Sequence, residues 1–172
     1  MTKKVPPNKN IKFIPPNFAS ELKALVMDFD GVLTDNKVIV NEDGSESVTC
    51  SRDDGYAIEK IKELGIITLI LTREKNNVVI ARAKKLNTEI IKGEREKLEK
   101  LKKWCLKNNI FPEGLAYIGN DLPDIGCLEY AKFSFCPADA FGTVRKKAEF
   151  ILNKKGGDGC IREILEDYIL AN

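Results

Sequence analysis

The sequence predicts an α/β domain with a doubly wound (Rossmann-like), mostly parallel sheet and one β-hairpin insertion. Three observations predict it. Short apolar runs, Ala24–Met27, Ile66–Leu71 and Leu115–Ile118, alternate with stretches of helical periodicity at βαβ spacing. Each run ends abruptly in polar residues: Asp28-Phe29-Asp30-Gly31, Thr72, and Gly119-Asn120-Asp121. In open parallel sheets, ligands bind beyond the carboxyl ends of the strands, where these clusters fall. Finally, Asn41-Glu42-Asp43-Gly44 separates two β-prone stretches, and an Asp-Gly pair in that setting signals a hairpin.

In chain order, residues 1 to about 20 carry four of the seven prolines and little periodicity, which predicts an N-terminal arm or linker, with the domain spanning 21–172. Ala24–Met27 reads as a buried strand ending in a tight loop. Lys37–Val40 and Glu46–Cys50 flank the hairpin turn. Asp54 opens a helix through Leu64 with Ala57, Ile58, Ile61 and Leu64 on one face, and Gly65 stops it. Ile66–Leu71 is a second buried strand. Asn76–Leu86 is helical, Glu89–Ile91 a short strand, and Glu94–Asn108 a long amphipathic helix. Leu115–Ile118 is a strand. After it come a helix near Asp124–Tyr130, a strand Phe133–Cys136, a short helix near Thr143–Lys147 and a strand near Phe150. The Gly156-Gly157-Asp158-Gly159 loop leads into a final helix, Ile161–Leu170.

Composition narrows the chemistry. The 172 residues are 43% hydrophobic and 31% charged, enough for a core with a solvated surface. Net charge is +2, from 28 basic and 26 acidic residues, with no long basic block, so no nucleic-acid partner is expected. No apolar run reaches a membrane span, and the start lacks an apolar signal core, so no membrane partner is expected. The five cysteines lack C-x-x-C spacing, which fits a reducing, cytoplasmic setting. Histidine is absent altogether. That removes Ser-His-Asp and Cys-His catalysis and leaves hydrolysis to carboxylates, lysines and a hard metal.

Four segments could supply that chemistry. Asp28 and Asp30, two positions apart after a buried strand, could divide the work: one attacks phosphorus and binds a cation, while the other moves a proton. Mg2+ would offset their repulsion toward a phosphate. Gly31 would let backbone N–H groups approach phosphate oxygens. Thr72, at a strand end before a helix, suits a phosphate oxygen. Lys97, near the start of the next long helix, could neutralise transition-state charge. Asp121 and Asp124 follow the third strand and could complete a metal shell.

The ordered set strand-DxDGVLTD, strand-Thr, Lys, strand-GNDxxD resembles the haloacid dehalogenase-type phosphatases over residues 22 to 170. The resemblance implies roles. Asp28 would be nucleophile and Mg2+ ligand. Asp30 would be general acid and base, its backbone carbonyl on Mg2+. Thr72 and Lys97 would hold the phosphoryl group. Asp121 would ligate the metal, and Asp124 would orient the metal shell.

Only 42 positions separate Asp30 from Thr72, and 24 separate Lys97 from Asp121. Both intervals are filled by the elements above, so no cap domain is expected. The DGVLTD loop, the hairpin, Arg52-Asp53-Asp54-Gly55 and the glycine-rich tail with Arg162 look like one capless branch. That branch contains 3-deoxy-manno-octulosonate 8-phosphate phosphatases, nonulosonate 9-phosphate phosphatases and a domain attached to some acylneuraminate cytidylyltransferases. It implies a phosphorylated sugar acid as substrate and a homotetramer in which neighbours complete the site. Thr34, Arg52, Arg73, Lys75 and Arg162 are then candidate substrate contacts. Arg73 stands where the octulosonate enzymes usually carry glycine, and Glu74-Lys75 looks more like the nonulosonate members, toward which the reading leans. The alternative is a catalytically weak oligomerisation or regulatory domain; the presence of every acid, metal and lysine residue favours an enzyme.

Overall fold

A computed structural model describes residues 17–171. Six strands form one parallel sheet. They are β1 (Ala24–Met27), β4 (Ile67–Leu71), β5 (Glu89–Ile91), β6 (Leu115–Ile118), β7 (Phe133–Cys136) and β8 (Phe150–Ile151), with β2 (Ile39–Val40) and β3 (Glu46–Ser47) paired separately as an antiparallel hairpin. The sheet order is β5-β4-β1-β6-β7-β8. The chain therefore winds outward from β1 in one direction, then returns to start again at β6. That reversal opens a crevice between the carboxyl ends of β1 and β6, where doubly wound sheets bind ligands.

Strand alternation builds two cores. Leu25 and Met27 face one side, with Phe29, Ile58, Ile61, Phe135 and Ile161. Ala24 and Val26 face the other, with Leu69, Leu101, Trp104 and Tyr117. Helices α1 (Phe18–Glu21), α2 (Arg52–Glu63) and α7 (Cys160–Glu163) belong to the first layer; α4 (Lys97–Lys107) and α5 (Ile125–Tyr130) belong to the second. Helix α3 (Asn77–Leu86) follows β4, and the short α6 (Gly142–Arg145) precedes β8.

The predicted architecture holds, and the differences are local. Helix α2 starts at Arg52 because the Ser51 hydroxyl, not Asp54, caps it, accepting from the Asp53 N–H at 3.1 Å. Helix α4 starts at Lys97 rather than Glu94. The preceding turn is drawn elsewhere, with Gly93 and Glu94 N–H groups bonded to the Glu74 and Thr72 carbonyls. The hairpin pairs over only two residues per strand. Val38, Ile39 and Val40 stand 51%, 63% and 63% exposed, so nothing beneath extends the ladder. The last helix widens into a π-type turn over Ile164–Ile169.

Most of the predicted N-terminal arm lies outside the described residues. Its end does not stand apart from the domain: Phe18 is fully buried, its ring 4.6 Å from that of Phe133. The packed domain thus includes Phe18, ahead of the boundary expected at residue 21. No cap domain is present between β1 and β4 or between α4 and β6; the hairpin with α2, and a single 3-10 turn, occupy those intervals.

Candidate active site

The site grows from the end of β1. The Asp28 N–H continues the ladder to the Ile118 carbonyl at 3.0 Å. Beyond it the chain turns sharply, and the Phe29 carbonyl accepts from Val32, Leu33 and Thr34. Gly31 sits at φ +80°, where a side chain would be strained. The Thr34 hydroxyl ties the turn together. It donates to Asp30 Oδ1 at 3.3 Å and accepts from the Gly31 and Asn36 N–H groups, both at 3.2 Å.

Beneath this turn lies a buried polar network. Asp28 Oδ1 accepts from the Phe29 N–H at 2.8 Å and from Lys97 Nζ at 2.8 Å. Lys97, at the first turn of α4, reaches under the sheet rim and also bonds Asp124 Oδ1 at 2.6 Å. The Tyr117 hydroxyl donates to the same oxygen at 2.7 Å, and Asp124 Oδ2 accepts from the Asn120 and Asp121 N–H groups. Gly119 permits this closeness; a Cβ there would stand 2.4 Å from Asp124 Cβ.

Above the network opens a cavity of about 350 Å³. It brings together Asp28, Asp30, Thr72, Arg73, Lys75, Lys97 and Asp121, seven of the residues singled out in the sequence. Thr72 is held by its N–H on the Ile91 carbonyl and by its hydroxyl, which accepts from the Glu74 N–H at 3.0 Å.

Four predicted residues stand elsewhere. Thr34 is fully buried and committed to the turn, so it shapes the loop rather than meeting a ligand. Asp124 is also fully buried, and both its oxygens are taken by the network, so it faces the lysine and the backbone rather than the cavity. Arg52 is exposed outside the cavity. Arg162 lies over the Tyr56 ring and pairs with Glu166. The cause is Asp54, whose Oδ1 accepts from the Ile161 and Arg162 N–H groups and docks α7 on α2. The glycine-rich tail does not line the cavity either. The Gly157 N–H bonds the Val32 carbonyl at 2.9 Å, and a Cβ on Gly156 would come 2.3 Å from the Gly31 carbonyl oxygen. The tail thus supports the Asp28–Asp35 turn from behind.

Two carboxylates share one ammonium here. Burial and the nearby Asp124 push Asp28 up to about 7, with Lys97 opposing. Burial alone would lower Lys97, but Asp28 and Asp124 outweigh it and hold the ammonium above its usual value. Besides Lys97, Asp28 has only the Phe29 N–H, whereas Asp124 also has the Tyr117 hydroxyl and two backbone N–H groups, so Asp28 is the less compensated carboxylate. Asp30 is raised by burial and by Glu74.

A family description of haloacid dehalogenase-like hydrolases matches residues 34–164. The chain belongs to this family. Among the family's phosphatases, 3-deoxy-D-manno-octulosonate 8-phosphate phosphatase KdsC of Escherichia coli K12 is 31% identical over 154 residues, covering 89% of this chain and 82% of that protein. The crystal structure of the Moraxella catarrhalis 3-deoxy-D-manno-octulosonate 8-phosphate phosphatase, in complex with magnesium, phosphate and KDO, is 35% identical. It aligns with a TM-score of 0.85 over 90% of this chain and 89% of that one. A cobalt-bound deoxy-D-mannose-octulosonate 8-phosphate phosphatase from Haemophilus influenzae is 26% identical, with a TM-score of 0.85 over 90% of each chain. This haloacid dehalogenase-like protein is accordingly a phosphatase.

Family members of this kind depend on a metal, and the donors present suit one. Among the described residues no three His, Cys, Asp or Glu side chains form a metal-holding group. The oxygens at the cavity are instead mixed: the Asp28 and Asp121 carboxylates and Asn120 Oδ1, a buried acceptor without a partner. Such a set fits a hard divalent cation, whose charge would also relieve the crowded carboxylates.

Sequence reasoning did not single out Tyr117 or Arg95, and it marked Glu74 only for its likeness to the nonulosonate members. Tyr117 sits at an inward position of β6, where a core reading is the natural one, and only its hydroxyl bond to Asp124 reveals a second role. Glu74 and Arg95 line the cavity because two loops cross there; Arg95, two positions before Lys97, carried no signal beyond that proximity.

Proposed function

We propose that this chain is a Mg2+-dependent phosphomonoester hydrolase that works through an aspartyl-phosphate on Asp28. Its substrate is a phosphorylated sugar acid, either a nonulosonate 9-phosphate or 3-deoxy-manno-octulosonate 8-phosphate. The observation that carries the reading is Lys97 Nζ at 2.8 Å from Asp28 Oδ1, at the base of a cavity that also holds Thr72, Asp30 and Asp121. The names of the octulosonate relatives support the substrate class.

An Asp28 oxygen attacks phosphorus in line, and the bond from phosphorus to the sugar oxygen breaks. The Asp30 carboxyl, whose burial favours its protonated form, gives its proton to that leaving oxygen. Lys97 and the Thr72 hydroxyl meet the phosphoryl oxygens as charge spreads over them. In the second half, the Asp30 carboxylate takes a proton from water, which attacks the phosphoryl group and frees Asp28. A divalent cation held by Asp28, Asp121 and the Asp30 carbonyl, with Asn120 beside it, would supply charge neutralisation. Asp124 and Tyr117 keep Lys97 in place.

The exposed Val38–Val40 ribbon and the open cavity favour a homotetramer in which neighbours cover the site. Five free cysteines favour a reducing, cytoplasmic setting. The test is phosphate release with Mg2+ across sugar-acid 8- and 9-phosphates. Wild type should turn over at least one of them, and Asp28→Asn should lose about 1,000-fold or more in kcat. Undiminished turnover by Asp28→Asn overturns the reading.

A further inference from the structure

We propose that Arg95 is a specificity residue, which together with Arg73 clamps the carboxylate of the substrate at the cavity mouth. The inference rests on the phosphatase reading above and names which of this chain's groups read the part of the substrate that does not react. It starts from a difference among the cations around the cavity. Lys97 is consumed by Asp28 and Asp124. Lys92 donates to the Lys75 carbonyl at 3.0 Å, and Lys100 pairs with Glu94 at 3.0 Å. Arg73 and Arg95 line the cavity, and neither guanidinium makes a hydrogen bond or ion pair among the described residues.

The two arginines stand on separate loops that the backbone fastens together. The Gly93 N–H bonds the Glu74 carbonyl at 3.0 Å, and the Glu94 N–H bonds the Thr72 carbonyl at 3.3 Å. Gly93, at φ +72°, lets the Lys75 stem pass close: a Cβ there would stand 3.2 Å from Lys75 Cγ. The loops therefore hold a fixed relation, and both arginines line one opening. Deeper, Lys97 and Thr72 already answer the phosphoryl group, and a cavity of about 350 Å³ leaves room for a leaving group of sugar size. A second anion on that leaving group is what two unpaired guanidinium groups would recognise, and a carboxylate matches their planar fork in two parallel bonds.

The experiment compares wild type, Arg95→Gln and Arg95→Lys with Mg2+ on three monoesters. These are the sugar-acid phosphate that wild type turns over best, its carboxyl methyl ester, and p-nitrophenyl phosphate. Arg95→Gln should raise KM for the acid about tenfold or more, with kcat little changed. It should leave the methyl ester and p-nitrophenyl phosphate unaffected, and Arg95→Lys should recover only part of the loss. Equal losses on acid and ester, or an unchanged KM for the acid, overturn the assignment of Arg95 while leaving the phosphatase reading intact. Failure of wild type to release phosphate from any of the three overturns both.

Discussion

At the floor of the cavity the cation is fully engaged; at the rim, three are free. Lys97 sits 3% exposed between two carboxylates, one of which, Asp124, is itself held by the Tyr117 hydroxyl. Arg73, Lys75 and Arg95 extend from loops, and their side chains make no polar contact among the described residues. Floor and rim carry the same kind of charge under different constraints. Buried charge is costly unless partnered, so the floor admits one geometry and does one kind of chemistry. Exposed charge costs little, so the rim can be held ready for whatever anion arrives. On the proposed function, the reaction is written into the floor and the choice of substrate into the rim.

The comparison is broken most directly at Lys97. Lys97→Met should lower phosphate release by about 1,000-fold or more. It should also cost about 3 kcal/mol in urea unfolding at pH 8, because two carboxylates are left buried without a cation. At pH 5 that cost should shrink, since Asp28, already pushed up to about 7, then takes a proton. A variant that loses activity with unchanged stability at both pH values would mean the floor network holds no buried charge.

The support behind the floor can be tested next. Gly156→Ala places a Cβ 2.3 Å from one backbone oxygen and 2.8 Å from another, Gly31 and Thr34 carbonyls respectively. It should cost about 2 kcal/mol and lower kcat about tenfold as the Asp28 turn shifts. Gly44→Ala, at the hairpin tip with φ +79° and open space around it, should cost about 1 kcal/mol with no loss of kcat. Matching losses of activity in both would show that the tail does not position the nucleophile.

The last effect leaves the reaction untouched and concerns Asp54, a buried carboxylate outside the cavity with no ion pair among the described residues. Asp54 is 1% exposed, and burial pushes it from 3.8 up to about 6 against the hydrogen bonds from Ile161 and Arg162. Between those values the folded protein binds the extra proton. The stability Asp54 contributes is therefore present below pH 3.8 and lost as pH rises through about 6. Near neutrality its ionised form costs about 3 kcal/mol. Asp54→Asn keeps an acceptor for the α7 N–H groups. Its unfolding free energy should fall less steeply than wild type between pH 4 and 6.5; parallel curves would show that Asp54 carries no such charge.

Much of the fold is legible in the sequence, for a physical reason. Fully buried strands such as Ala24–Met27 must be apolar on both faces, and the polar residue that ends each one marks the sheet's carboxyl rim. The floor residues Asp28, Thr72 and Asp121 were legible because each sits one to three residues past such a strand. Lys97 was legible only through the order of the motifs around it. What could not be read was direction. Thr34, Asp124 and Arg162 belong to plausible patterns, yet their side chains turn into the loop, behind the network, and over Tyr56. Nothing local distinguishes a carboxylate that binds an ion from one that holds a lysine. The tail glycines looked like ligand contacts because close approach is what glycine permits; here the approaching group is the chain's own Gly31 carbonyl.

The central claim is that Asp28 becomes phosphorylated during turnover. Asp30→Asn, incubated with Mg2+ and an aryl phosphate whose leaving group needs no proton, should retain the phosphoryl group because no base activates water. Mass spectrometry of the intact chain should show an increment of one phosphoryl group, mapping to the peptide that contains Asp28 and absent when Asp28 is also changed to Asn. An increment on another residue, or none while that variant still releases phosphate, would contradict the account.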